Sequence, residues 1–113
     1  MTSKTKKTIL LDLDGVLNNY TGNYDEKFIP QAKAGAFEFL KNLSKKYKIK
    51  IFTSRNLLLV SEWLVENDLK QFVDEVTNVK VPSYLIIDDR CITFTGDYFD
   101  LSNKIEKFNV WYK

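Results

Sequence analysis

Nine residues near the start of the chain, Ile9-Leu10-Leu11-Asp12-Leu13-Asp14-Gly15-Val16-Leu17, constrain its fold more than any other stretch. Three apolar residues run straight into two closely spaced carboxylates and then a glycine. A short apolar run of this kind reads as a strand buried on both faces, as in a parallel sheet. Strands of such sheets end at the crevice where ligands bind. Asp12 and Asp14 fall at that end. Their charges repel, and a cation or a shared proton offsets the repulsion. Gly15 lets the backbone turn and lets a ligand come close. The plain alternative is a strand ending in a polar turn, with the aspartates capping backbone amides. The rest of the chain decides between the two.

Strand and helix patterns alternate along the sequence. Thr8–Leu13 reads as the first strand, preceded by a solvated arm over 1–7. Residues 15–30 form a turn-rich loop, long enough to suggest a role in function, with Tyr20, Tyr24 and Phe28 as candidates to pin it to the body. The spacing of Phe37, Leu40, Leu43 and Tyr47 predicts a helix over Gln31–Tyr47, with Pro30 suited to its first turn and lysines gathered at its end. Lys50-Ile51-Phe52-Thr53 ends a second strand, and Ser54-Arg55-Asn56 turns into a second helix, Leu57–Asn67, whose core stripe is Val60, Trp63 and Leu64. Phe72–Thr77 reads as a short peripheral strand and Tyr84–Ile87 as a fourth. Ile92–Phe94 reads as a last short strand, Leu101–Phe108 as a final helix and Asn109–Lys113 as a docked aromatic tail. This order predicts one domain over residues 1–113. It is an α/β, three-layer Rossmann-like fold with a mostly parallel sheet and right-handed crossovers.

Composition then narrows the chemistry. The 113 residues carry a net charge of +2, too mild to argue for nucleic acid or an anionic membrane as a general partner. No apolar run is long enough for a membrane span, and the basic start does not read as a signal peptide. The single Cys91 has no partner for a disulfide within the chain, which fits a reducing cytoplasm. There is no histidine. That removes Ser-His-Asp catalysis and histidine-ligated zinc.

Four strand ends or their connections carry polar groups: Asp12 and Asp14, then Thr53 or Ser54, then Lys80, then Asp88 and Asp89. A parallel sheet brings such ends to one edge. Carboxylates without histidine make a hard, all-oxygen site suited to magnesium. A nearby lysine neutralises phosphate or keeps a carboxylate charged. A hydroxyl at a helix start, with free amides, binds phosphate oxygens. One aspartate can act as nucleophile and a second, two residues on, as acid and base. Arg55 and Arg90 follow two of these ends, and each could hold an anion or an acidic side chain.

In these four stretches the chain resembles the haloacid dehalogenase-like superfamily of phosphohydrolases. Asp12-Leu13-Asp14-Gly15-Val16 looks like its first motif and Ile51-Phe52-Thr53-Ser54-Arg55 its second. Lys80 looks like the third and Ile86-Ile87-Asp88-Asp89 the fourth. The likeness covers residues 8–94. It implies a magnesium-dependent phosphatase acting through an aspartyl-phosphate. Asp12 would be nucleophile and metal ligand. Asp14 would be acid/base and metal ligand through its carbonyl. Thr53, Ser54, Lys80 and Arg55 would bind phosphate or substrate, and Asp88 and Asp89 would complete the metal site. A silent relative that uses the fold only to bind or regulate is the alternative. A receiver domain is disfavoured because its acidic pair comes early and its lysine last.

Spacing also bears on access. Between Asp14 and Thr53 lie 38 residues, and between Thr53 and Lys80 lie 26. The expected elements use them all, leaving no room for a cap domain. A capless site excludes water only with help. Relatives without a cap take large substrates or oligomerise. The expectation is therefore an open site bordered by the 15–30 loop. Its substrate would be a sugar phosphate, a nucleotide or a polynucleotide end, and a homo-oligomer is possible.

Overall fold

The structure, a computed structural model, describes residues 5–113. Four parallel strands form one sheet in the order β3-β2-β1-β4: β1 Thr8–Asp12, β2 Lys48–Phe52, β3 Glu75–Thr77 and β4 Leu85–Ile87. Helices α1 (Ala36–Ser44), α2 (Leu57–Glu66) and α3 (Tyr98–Lys107) follow β1, β2 and β4 respectively. The Rossmann-like α/β architecture read from the sequence is present, and its sheet is wholly parallel.

β1 lies between β2 and β4, with Leu11 level with Ile51 on one side and Ile87 on the other. A strand paired on both sides must be apolar on both faces, and Ile9, Leu10 and Leu11 are at most 1% exposed. In register, Ile9, Leu11, Ile49, Ile51, Val76 and Ile87 share one face. They pack with Leu40 of α1 and with Val60, Trp63 and Leu64 of α2. Leu10 points to the opposite face. The return from β3 to β4 runs over residues 78–84 without a helix, and crossover handedness puts it on that opposite face.

α1 is shorter than its apolar spacing predicts. Residues 31–33 are taken by the loop instead. Asn18 bridges Ala32 in antiparallel fashion, Asn19 N donates to Gln31 O at 2.9 Å, and Lys33 N donates to Leu17 O at 2.8 Å. Backbone groups committed to that bridge cannot enter a helix, which starts at Ala36 behind an N-cap Gly35 with φ +91°. Phe37 is consequently 39% exposed at the helix edge. The third strand shrinks for a similar reason, because Lys70–Phe72 winds into a 3-10 turn. Ile92–Phe94 forms no strand: Phe94 is half exposed, so the run has no buried face to hold it. α3 starts three residues earlier than expected because the Asp97 side chain accepts from Phe99 N at 3.0 Å.

The expected arm over 1–7 lies outside the described residues for 1–4. Lys6 and Lys7 are not free. Lys6 Nζ donates to Ser44 O at 2.8 Å, and Lys7 O accepts from Lys48 N at 2.9 Å. Among the described residues, no helix is long and apolar enough to cross a membrane.

Candidate functional site

The carboxyl edge of the sheet gathers the acids from two adjacent strands. Asp12 ends β1, and Asp88 and Asp89 follow β4 directly. One carboxylate oxygen from each of the three lies within 4.8 Å of the others. Burial, the largest effect, pushes the Asp12 carboxyl up to about 8, with Asp88, a hydrogen bond to Asp89, and Asp14 adding to the shift. Asp89 Oδ2 is buried and has no hydrogen-bond partner among the described residues. Asp88 Oδ1 accepts from Arg90 N at 2.8 Å, which forms the turn after β4. Crowded hard oxygens, one of them orphaned and one holding its proton to near neutrality, are what a divalent cation would relieve. Asp12, Asp88 and Asp89 thus fit a magnesium-like ion.

Gly15 is required here by geometry. Its φ is +82°, and a Cβ on it would lie 2.2 Å from Asp89 Oδ2. The carboxylate rests in the space that a side chain would fill.

The Asp14 carboxylate is absent from the cluster and is held separately. Its Oδ2 accepts from Arg55 Nε at 2.8 Å. Its Oδ1 accepts from Arg55 Nη2 at 3.2 Å and from Asn18 Nδ2 at 3.0 Å. Of the two roles open to Arg55, the structure selects the ion pair: its side chain is 1% exposed. Arg55 Nη1 also donates to Asp25 O at 2.8 Å, and the Tyr24 ring covers its guanidinium at 4.6 Å. One arginine therefore fixes both Asp14 and the 15–30 loop. Tyr24 belongs to that arrangement, and Tyr20 meets Tyr112 edge-on. Phe28 does not pin the loop: it is 63% exposed, and the buried Ile29 anchors that end instead.

Thr53 is buried, one residue past β2. Its Oγ1 accepts from Arg55 N at 3.0 Å, and its carbonyl accepts from Asn78 Nδ2 at 2.7 Å. The hydroxyl proton is left to donate. Ser54 is exposed at the turn before α2, whose N-terminus is capped by Asn56 Oδ1 accepting from Leu59 N at 3.1 Å. A cavity of about 530 Å³ opens beside this turn, lined by Tyr24, Lys27, Ser54, Arg55, Asn56 and Leu58 among others. That volume is in the range of small-molecule pockets. Lys80 is exposed on the β3–β4 connection.

Sequence reasoning missed three contributors. Asn18 is fully buried, and its Oδ1 accepts from Gly15 N and Tyr20 N, both at 3.1 Å. Asn78 ties β3 to the turn after β2. Trp111 Nε1 donates to Gly15 O at 2.7 Å from the far end of the chain. The turn position of Asn18, four residues after Asp14, was one signal, since asparagine side chains close such turns, and the expected docking of the aromatic tail Asn109–Lys113 was the signal for Trp111.

No family model and no curated protein matches this sequence. Solved structures do. A conserved protein from Bacteroides thetaiotaomicron aligns with a TM-score of 0.59 at 20% identity, over 91% of this chain and 92% of the other. An uncharacterized protein from Listeria monocytogenes serotype 4b aligns at 0.52 and 13% identity, over 91% of this chain and 62% of that one. At these identities the likeness is one of fold.

Proposed function

We propose that this protein is a magnesium-dependent phosphomonoesterase of the haloacid dehalogenase-like type, acting through an aspartyl-phosphate. The observation that supports it best is the meeting of Asp12, Asp88 and Asp89 at one sheet edge, beside the separately held Asp14. Asp12, Asp88 and Asp89 would hold a magnesium ion, the Asp14 carbonyl joining them only through the family resemblance, and the ion would supply positive charge against the phosphoryl oxygens. Asp12 Oδ attacks phosphorus, and the bond to the leaving oxygen breaks. Asp14, which must enter this step protonated, donates the proton that this oxygen needs. It then takes a proton from the water that attacks phosphorus and frees Asp12. Each carboxylate oxygen can accept about two hydrogen bonds. Oδ2 of Asp14 has one, from Arg55, and so keeps a position for that proton. Thr53, Ser54 and the free amides at the start of α2 serve the phosphoryl oxygens. Lys80 is assigned to phosphate only through the family resemblance.

With Cys91 free, a reducing cytoplasm is the compartment that this reading takes. The substrate class is a sugar phosphate, a nucleotide or a polynucleotide end.

Hydrolysis of an aryl phosphate with and without magnesium tests the reading. Activity is expected only with the ion and is expected to vanish in Asp12→Asn, which keeps the size but loses the nucleophilic charge. Turnover that survives both changes would reject the mechanism. Magnesium binding with no turnover across a broad phosphate panel would favour a silent binding or regulatory module.

A further inference from the structure

We propose that Trp111 is a positioning residue for the carboxylate site. It holds the Gly15 turn from the C-terminal end of the chain, so that Asp14 and Asp89 keep their places. The consequence for catalysis rests on the phosphatase reading; the positioning itself does not.

Gly15 is the point where the two acidic stretches touch. Asp14 precedes it, and the Asp89 carboxylate lies against its bare Cα. Both of its peptide groups are held. Its N–H donates to Asn18 Oδ1 at 3.1 Å, and its carbonyl accepts the Trp111 indole N–H at 2.7 Å. The second bond spans 96 residues, and nothing local replaces it.

The indole is a poor core residue, at 57% exposed. The adjoining Val110 is buried and anchors the tail. Lys33 Nζ lies 4.6 Å from the Trp111 ring centre, and Tyr112 packs edge-on to it at 5.3 Å. Tyr112 in turn meets Tyr20 edge-on at 6.0 Å and accepts from Arg90 Nη2 at 3.5 Å. The tail thus bridges the loop after β1 and the turn after β4, the two segments that carry the acids. A side chain so exposed contributes little by burial. What it supplies is the donor.

The deciding variant is Trp111→Phe, which keeps an aromatic ring and removes the N–H. In the metal-free protein, amide hydrogen exchange at 15–18 should quicken by about tenfold. Magnesium affinity, measured by calorimetry, should fall by about tenfold, in the range seen for lost supporting partners of metal ligands. The melting temperature should move by only a few degrees. Trp111→His, which restores a ring N–H, should recover part of both losses. Unchanged exchange in Trp111→Phe overturns the proposal, as does a fall in affinity that His fails to relieve. If Trp111→Phe does not fold, the wild-type indole N–H decides. Protection from exchange supports the clasp, and free exchange overturns it. A wild-type protein that binds no divalent ion and hydrolyses nothing would sink the phosphatase reading instead, and the exchange measurements would then judge the clasp alone.

Discussion

Asp12 and Arg55 govern how single residues tune this site. Asp12 titrates near 8 in the metal-free chain, mainly because it is buried and then because Asp88 and Asp89 stand close. An acid whose folded value lies above its unfolded value binds more protons in the folded state between the two. Stability therefore falls as pH rises through that window, from about 4 to about 8. With a chelator present, the melting temperature should be higher at pH 5 than at pH 8, and magnesium should close most of that gap. A chelated protein that is more stable at pH 8 would contradict the crowding of the three acids. Arg55 is a different case. Its side chain is 1% exposed and pairs with Asp14, which is 20% exposed. Removing one partner of such a pair strands the other. Arg55→Ala should cost about 3 kcal/mol in denaturant unfolding. Arg55→Lys keeps the charge but loses the fork, so it should still release the 20–27 loop to proteolysis. A wild-type melting curve for Arg55→Ala would show that the pair carries no stability.

The elements differ sharply in what they contribute. α2 buries Val60, Trp63 and Leu64, and the Trp63 indole also donates to Pro30 O at 3.1 Å, tying down the end of the loop. α3 buries no residue, and its Ile105 is 59% exposed. Leu64→Ala should cost about 2–5 kcal/mol because it opens a cavity in the core. Ile105→Ala should cost under about 0.5 kcal/mol because it empties nothing. Equal costs for the two would mean that α3 is packed in solution. The missing helix between β3 and β4 belongs to this scale too. That connection spans only 78–84, so Lys80 lies on an irregular, exposed stretch rather than at a helix N-terminus that could face phosphate.

At the scale of the whole molecule, the acids lie at the sheet edge with no folded domain above them among the described residues. α1 and α2 fill the segments where the proposed family would insert a cap. The loop held by Arg55 and the tail held by Gly15 border the site instead. In the proposed phosphatase reading, the substrate itself would then do most of the exclusion of water. The expected outcome is a preference, in kcat/KM, for nucleotides or phosphorylated oligonucleotide ends over phosphate esters of very small acids. A monomer that processed the smallest esters best would remove the link between openness and substrate size.

The sequence determined the sheet and its acidic edge. A strand buried on both faces has to be apolar throughout, so Ile9-Leu10-Leu11 marks the centre of the sheet unaided. Parallel strands bring their carboxyl ends together, so Asp12, Asp88 and Asp89 converge once β1 pairs with β4. The start of α1 was not legible, because the antiparallel bridge of Asn18 to Ala32 competes for backbone groups that helical spacing alone would assign to a helix. Nor was the choice of Arg55 between substrate and ion pair, since that depends on burial. The Trp111–Gly15 bond lay furthest from view. Contacts across 96 residues leave no periodicity; only the closing of the fold decides which carbonyl a distant indole meets.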